Sequence, residues 1–177
     1  MDLVKLAEQI GFSHAALLKA ESLRAMPEVR EMCASDRCRR FGKSWSCPPA
    51  CGSLEECQTR MQGYTGGVLV QTTAELEDEF DFESMAKAQE EHKKRFFTLA
   101  RQTRLLSPDC LPLTAGSCSI CRSCTYPDRP CRFPSKMLSS MEAYGLLVSE
   151  VCAASGLPYY YGPGTLTYSS CILTREE

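Results

Sequence analysis

The residues with the most chemistry in this chain are its cysteines, and their spacing is uneven. Cys118-Ser-Ile-Cys121-Arg-Ser-Cys124 is followed, after Thr-Tyr-Pro-Asp-Arg-Pro, by Cys131. Two successive two-residue gaps put three thiols on one tight loop, which suits the corner irons of a cubane cluster, and a fourth thiol arrives after a turn. Ferredoxins share this triple spacing, although their fourth cysteine follows after three residues rather than six. Zinc sites more often use two separated Cys-x-x-Cys knuckles. The expected cofactor is therefore a 4Fe-4S cluster on Cys118, Cys121, Cys124 and Cys131, with zinc as the alternative.

A second set comprises Cys33, Cys38, Cys47, Cys51 and Cys57. Five sulfurs exceed one four-ligand site. Cys33, Cys38, Cys47 and Cys51 are the expected ligands of a second metal site, and Cys57, on a helix after Ser53, is the expected spare. Pro48 follows Cys47, and proline stiffens a ligand loop by removing a backbone donor. In two-cluster ferredoxins the cysteine after the triple run serves the other cluster, so Cys131 is open to either site. Cys110, Cys152 and Cys171 stand alone and read as small buried hydrophobes.

Two further residues are candidates for proton chemistry. His92 falls with Met85, Ala88, Phe96 and Leu99 on the inward stripe of a helix, where a satisfied core or outer-shell histidine is the commoner outcome and a proton donor or ligand the functional one. Glu142 stands three residues after Ser139, which reads as a capping box or, alternatively, as a general acid near the cysteine loop. The run Tyr159-Tyr160-Tyr161 suggests half-buried packing or the wall of a flat ligand site. No glycine-rich phosphate loop and no local serine-histidine-aspartate arrangement is present.

Elements must position these residues, and composition says they can. At 177 residues with 44% hydrophobic content the chain has the material for one real core. Residues 3–10 carry apolar positions at helical spacing before Gly11, and 15–18 read as a short strand. Strands are expected at 68–72, at 111–114, where Pro112 confines the strand to an edge or a start, and at 166–173. Helices are expected over 83–106 and 140–154. The fold class is α/β or α+β: a single compact domain over 1–177, with a small mixed sheet, flanking helices and cysteine-rich metal-binding loops at 33–57 and 118–131.

The net charge of -2 argues against a whole-surface partner such as nucleic acid or an anionic membrane. Its distribution is more telling. Residues 33–47 hold Arg37, Arg39, Arg40 and Lys43 against Asp36, and residues 118–136 hold Arg122, Arg129, Arg132 and Lys136 against Asp128. Nearby cations lower thiol pKa values and favour bound thiolates. Residues 75–91 compensate with eight acids against Lys87. The chain opens without a basic region followed by an apolar one and contains no run approaching a membrane span, so the expected location is cytoplasmic. Crowded cysteines in such a chain point to metal ligation rather than a disulfide framework.

Several stretches carry a family resemblance: Phe41-Gly-Lys-Ser-Trp-Ser-Cys47-Pro-Pro, His92-Lys93, Gly116-Ser-Cys118 through Cys131-Arg-Phe-Pro134, Ser140-Met-Glu-Ala-Tyr-Gly145 and the strand bearing Tyr168. In these the chain resembles the predicted metal-binding proteins of the domain of unknown function family 2284. The resemblance covers nearly the whole chain, is most specific over 118–145, and implies metal binding without an established reaction. Residues 6–12 also look faintly like the opening of iron-sulfur, cobalamin-dependent reductases such as epoxyqueuosine reductase.

The leading expectation is an iron-sulfur protein in electron transfer, serving an acidic redox partner protein or a small-molecule substrate. One alternative is a zinc-stabilised binding module in which Arg37, Arg39, Arg40 and Lys43 contact nucleic acid or an acidic protein. Another is a small iron-sulfur reductase using His92 or Glu142 as proton donor.

Overall fold

In a computed structural model, which describes residues 2–175, five strands form one mixed sheet flanked by helices on both faces. Helix α1 (Leu3–Ile10) starts where the Asp2 carboxylate accepts from the Lys5 N–H, and it stops at Gly11, whose φ of 99° is open to a residue without Cβ. Strand β1 (His14–Leu17) follows, then α2 (Pro27–Ala34) with proline at its first position and α3 (Leu54–Gln62). A reciprocal capping box between Ser53 and Glu56 opens α3.

Strand β2 (Gly66–Glu75), helix α4 (Phe82–Leu106), and strands β3 (Leu111–Thr114) and β4 (Ser139–Ser140) come next. Helix α5 (Val148–Ala154) and strand β5 (Thr165–Thr174) complete the chain. The order across the sheet is β1-β2-β5-β3-β4, antiparallel except for the parallel β3–β4 pair.

Strand alternation explains the layers. Val68, Val70 and Ile172 point to one face, where Ala7, Phe12, Phe96, Leu99 and Ala100 of the α1/α4 side cover them. Leu69, Cys171 and Leu173 point to the other, against Met61, Met141, Tyr144, Leu146, Val151 and Cys152. Both faces being covered, residues 66–72 are buried without a break. Each fully buried Leu or Phe here contributes about 1.5–3 kcal/mol of transfer free energy.

The helix expected over 140–154 is a different structure. Ser139 and Ser140 belong to β4, residues 142–144 form a single 3-10 turn, and Gly145 breaks the run at φ 77°. A Cβ at Gly145 would lie 2.5 Å from Leu54 Cδ1 and 3.1 Å from the Met26 nitrogen, so chain packing as well as conformation demands glycine. The capping box expected of Ser139 and Glu142 does not form. The Ser140 hydroxyl accepts the Ala143 N–H at 3.1 Å, and Glu142 Oε2 has no hydrogen-bond partner.

The fold delivers its cysteines through two connections. Residues 115–138 join β3 to β4, which lie side by side and parallel, so this segment leaves and re-enters the sheet at neighbouring positions. It contains no helix or strand. A structureless connection of that length is uncommon unless it binds something. Residues 35–53 join α2 to α3 in the same irregular manner. Among the described residues, no helix is long and apolar enough to cross a membrane.

Candidate metal centre

Cys118, Cys121, Cys124 and Cys131 all line one cleft of about 390 Å³, open space at its mouth included. The other walls come from Ser44, Trp45 and Ser46 of the 35–53 connection, from Arg40 and Arg132, and from Phe133 and Met137. The four cysteines are half-buried free thiols.

The cleft is assembled by docking of the two connections. Trp45 Nε1 donates to the Arg129 carbonyl at 3.0 Å, and its ring meets Tyr126 edge-on at 4.9 Å between centroids. The Ser46 hydroxyl accepts the Cys118 N–H at 3.2 Å and lies 3.7 Å from Cys47 Sγ, so one side chain touches both cysteine segments. Lys93 reaches from α4 to the Ser119 hydroxyl at 3.3 Å.

Within the 118–131 loop few backbone groups bond to one another. The Arg129 N–H reaches the Thr125 carbonyl, and the Thr125 hydroxyl and Arg132 guanidinium bond the carbonyls of Pro130 and Ser123. Burial pushes the Cys124 thiol up, but the N–H groups of Tyr126, Trp45 and Thr125, with the Ser44 hydroxyl, hold it below the ordinary thiol value. Converging N–H donors stabilise a thiolate, the ligating form of cysteine.

The second set is also brought together, in a more buried place. Cys33 Sγ donates to the Glu142 carbonyl at 3.7 Å and Cys51 Sγ to the adjacent Ala143 carbonyl at 3.5 Å. Cys47 is one turn before Cys51, whose N–H bonds the Cys47 carbonyl. Burial raises the Cys33 thiol, with the Glu142 carboxylate and Cys38 adding to the rise; burial also raises Cys47, against the Ser46 and Ser44 hydroxyls. Cys38 is exposed.

Cys57, expected to be the spare, is in contact with Cys51. The Cys57 thiol donates to the Cys51 carbonyl at 3.9 Å, and the interaction between the two thiols raises Cys51 and lowers Cys57. Arg30 Nη2 lies 3.3 Å from Cys57 Sγ and 3.9 Å from Cys51 Sγ. Its Nε and Nη1 donate to the Ala143 and Gly52 carbonyls, both at 3.0 Å.

Sequence reasoning missed Arg30, because its partners lie 21 to 113 residues away. It gave Lys93 no task beyond the matched His92-Lys93 pair. The serines flanking Trp45 did carry a signal, as part of the matched Ser-Trp-Ser-Cys-Pro-Pro stretch.

Neither proton-donor candidate lines the cleft. His92 is fully buried, with Nδ1 2.9 Å from Thr72 Oγ1 and Nε2 2.7 Å from Ser170 Oγ. Burial, with Arg95 and Lys93 nearby, lowers its pKa to about 3, so it is neutral. Ser170 Oγ also accepts the Ala115 N–H at 2.8 Å, which ties His92 to the start of the cysteine loop. Glu142 sits at the second sulfur group, where its Oε2 is buried without a hydrogen-bond partner.

Cys110, Cys152 and Cys171 are core residues. Tyr159 and Tyr160 are exposed, whereas Tyr161 stacks on His14 and donates to Gln71 Oε1 at 2.7 Å. Among the described residues, no three His, Cys, Asp or Glu side chains converge tightly enough to hold a single metal ion.

No curated protein and no solved structure matches the chain. A family model does match, over residues 16–174, and it takes in both cysteine segments and the sheet that carries them. The chain therefore belongs to the family of predicted metal-binding proteins designated DUF2284.

Proposed function

We propose that this metal-binding protein is an iron-sulfur redox protein, carrying a 4Fe-4S cluster on Cys118, Cys121, Cys124 and Cys131. The observation that carries the reading is the cleft itself: four thiols from one irregular loop face a common space instead of meeting at a point. A tetrahedral zinc ion with Zn–S bonds of about 2.3 Å would draw its sulfurs to about 3.8 Å from one another. A cubane takes each thiolate at a different iron and so accepts sulfurs spread around a cleft.

When bound, the cluster supplies one-electron transfer, and full cysteine ligation suits relay rather than substrate binding at iron. The chain's own residues tune and guard it. N–H groups of Trp45, Thr125 and Tyr126 stabilise negative charge on Cys124. Arg40 and Arg132 in the walls add positive charge, which favours the reduced state. Phe133, Met137 and the Trp45–Tyr126 pair limit water access.

The exposed Arg122, Arg129 and Arg132 make none of the ion pairs among the described residues, and they present a positive rim to an acidic electron carrier. Protein purified without oxygen should be brown, with a broad visible shoulder that dithionite bleaches and mild reoxidation restores. A spectrum that dithionite leaves unchanged would overturn the redox reading.

A further inference from the structure

We infer that Cys33, Cys38, Cys47 and Cys51 form a second, separate iron-sulfur site, with Arg30 and Cys57 donating to its Cys51 side. The ligands arrive from three places: the last turn of α2, the exposed bend after it, and the turn that carries Cys47 and Cys51. Cys33 and Cys51 aim at neighbouring carbonyls, those of Glu142 and Ala143, and Cys47 stands one turn from Cys51. The fold therefore holds Cys33 and Cys51 at the 142–144 turn, and Ser46 stands between Cys47 and the Cys118 N–H of the first cleft.

Two groups in this place lack the partner that their chemistry calls for. Arg30 is a half-buried cation that makes none of the ion pairs among the described residues, and its one free edge faces the sulfurs of Cys51 and Cys57. A guanidinium so placed calls for anionic sulfur beside it. Glu142 Oε2 is buried without a donor, and an orphaned acceptor is rare unless an ion or a donor belongs next to it. The iron-bound thiolates of such a centre supply the anionic sulfur that Arg30 calls for.

Cys57 then changes from spare to neighbour. With Cys51 bound to iron, Arg30 Nη2 becomes a donor to the ligating sulfur, and Cys57, which bonds the Cys51 carbonyl, places an S–H donor beside it, an arrangement that raises a cluster's potential. Assembly of the oxidised centre takes equal amounts of ferrous and ferric iron together with sulfide, and it releases the thiol protons of the ligating cysteines, so its electrons balance without a further oxidant.

This inference does not depend on the first centre, and metal analysis separates the two. Iron and acid-labile sulfide are measured on the full chain, purified anaerobically, beside Cys33→Ala/Cys38→Ala and Cys118→Ala/Cys121→Ala. Cys33 is half-buried and Cys38 exposed, so their removal spares the core. The wild type should hold about eight irons, and each double variant about four.

A Cys33→Ala/Cys38→Ala protein with the wild-type iron content overturns the second site. So does a Cys118→Ala/Cys121→Ala protein with none. Full retention of iron in the latter variant would instead overturn the first centre and leave the second standing. Cys57→Ala gives a further readout, since it should keep all the iron and lower the midpoint potential of one of two centres in a redox titration. Two unmoved midpoints would remove Cys57 from the assignment.

Discussion

The 118–131 loop and the 33–57 segment both gather thiols, but in opposite surroundings. The loop does so near the surface, using backbone N–H groups and serine hydroxyls, and it has few hydrogen bonds of its own. The 33–57 segment buries Cys47, Cys51 and Cys57, anchored by α2 and α3, by the Arg30 contacts and by the 142–144 turn. The difference separates what builds each place: on the proposed reading a bound metal holds the loop together, whereas the protein core already holds most of the second group.

Metal removal is the strongest way to test that contrast. Stripping the metal under reducing conditions should abolish hydrogen-exchange protection over residues 116–138, while β2 and the Cys57 turn of α3 stay protected; equal loss in both regions would erase the distinction. Acid should come next in size. Burial keeps His92 neutral down to about pH 3, so below about pH 6.5 the unfolded state binds a proton that the folded state does not. Stability should therefore fall by about 2–3 kcal/mol between pH 6.5 and 4.5 from this residue. In the metal-free protein His92→Gln should flatten that slope, as read by urea unfolding at several pH values.

Gly145→Ala targets the second region alone. Left-handed backbone and the clash with Leu54 should cost about 1–3 kcal/mol in chemical denaturation. Its visible spectrum should change less at the loop centre than at the second. The smallest effect is expected of Ser46→Ala, which removes the acceptor for the Cys118 N–H and the hydroxyl beside Cys47. A cost of about 1 kcal/mol should appear in unfolding, with faster loss of iron from both regions.

Much of the fold was legible because its signals are local. Helix α4 begins within a residue of the expected start and ends where expected, and β2 and β5 extend runs already rich in strand formers. The 140–154 segment was misread for a reason equally physical. Its Ser-x-x-Glu spacing imitates a cap, but Ser139 is engaged in β4, and Gly145 is fixed by contacts with Leu54 and Met26, which no local pattern shows. Helix α2 went unread, and with it Arg30.

At the candidate site, the spacing of the 118–131 cysteines pointed to a shared centre, and the structure places all four on one cleft. The contribution of Ser44, Trp45 and Ser46 to that cleft comes from docking of residues more than seventy positions away. The contact between Cys51 and Cys57 likewise depends on how α3 packs, not on their spacing.

The most direct test of the central claim is the content of iron, acid-labile sulfide and zinc in the wild-type chain purified without oxygen. Iron and sulfide are expected in equal amounts, at least about four of each per chain, and no zinc. Stoichiometric zinc in a colourless protein, without sulfide, would contradict it.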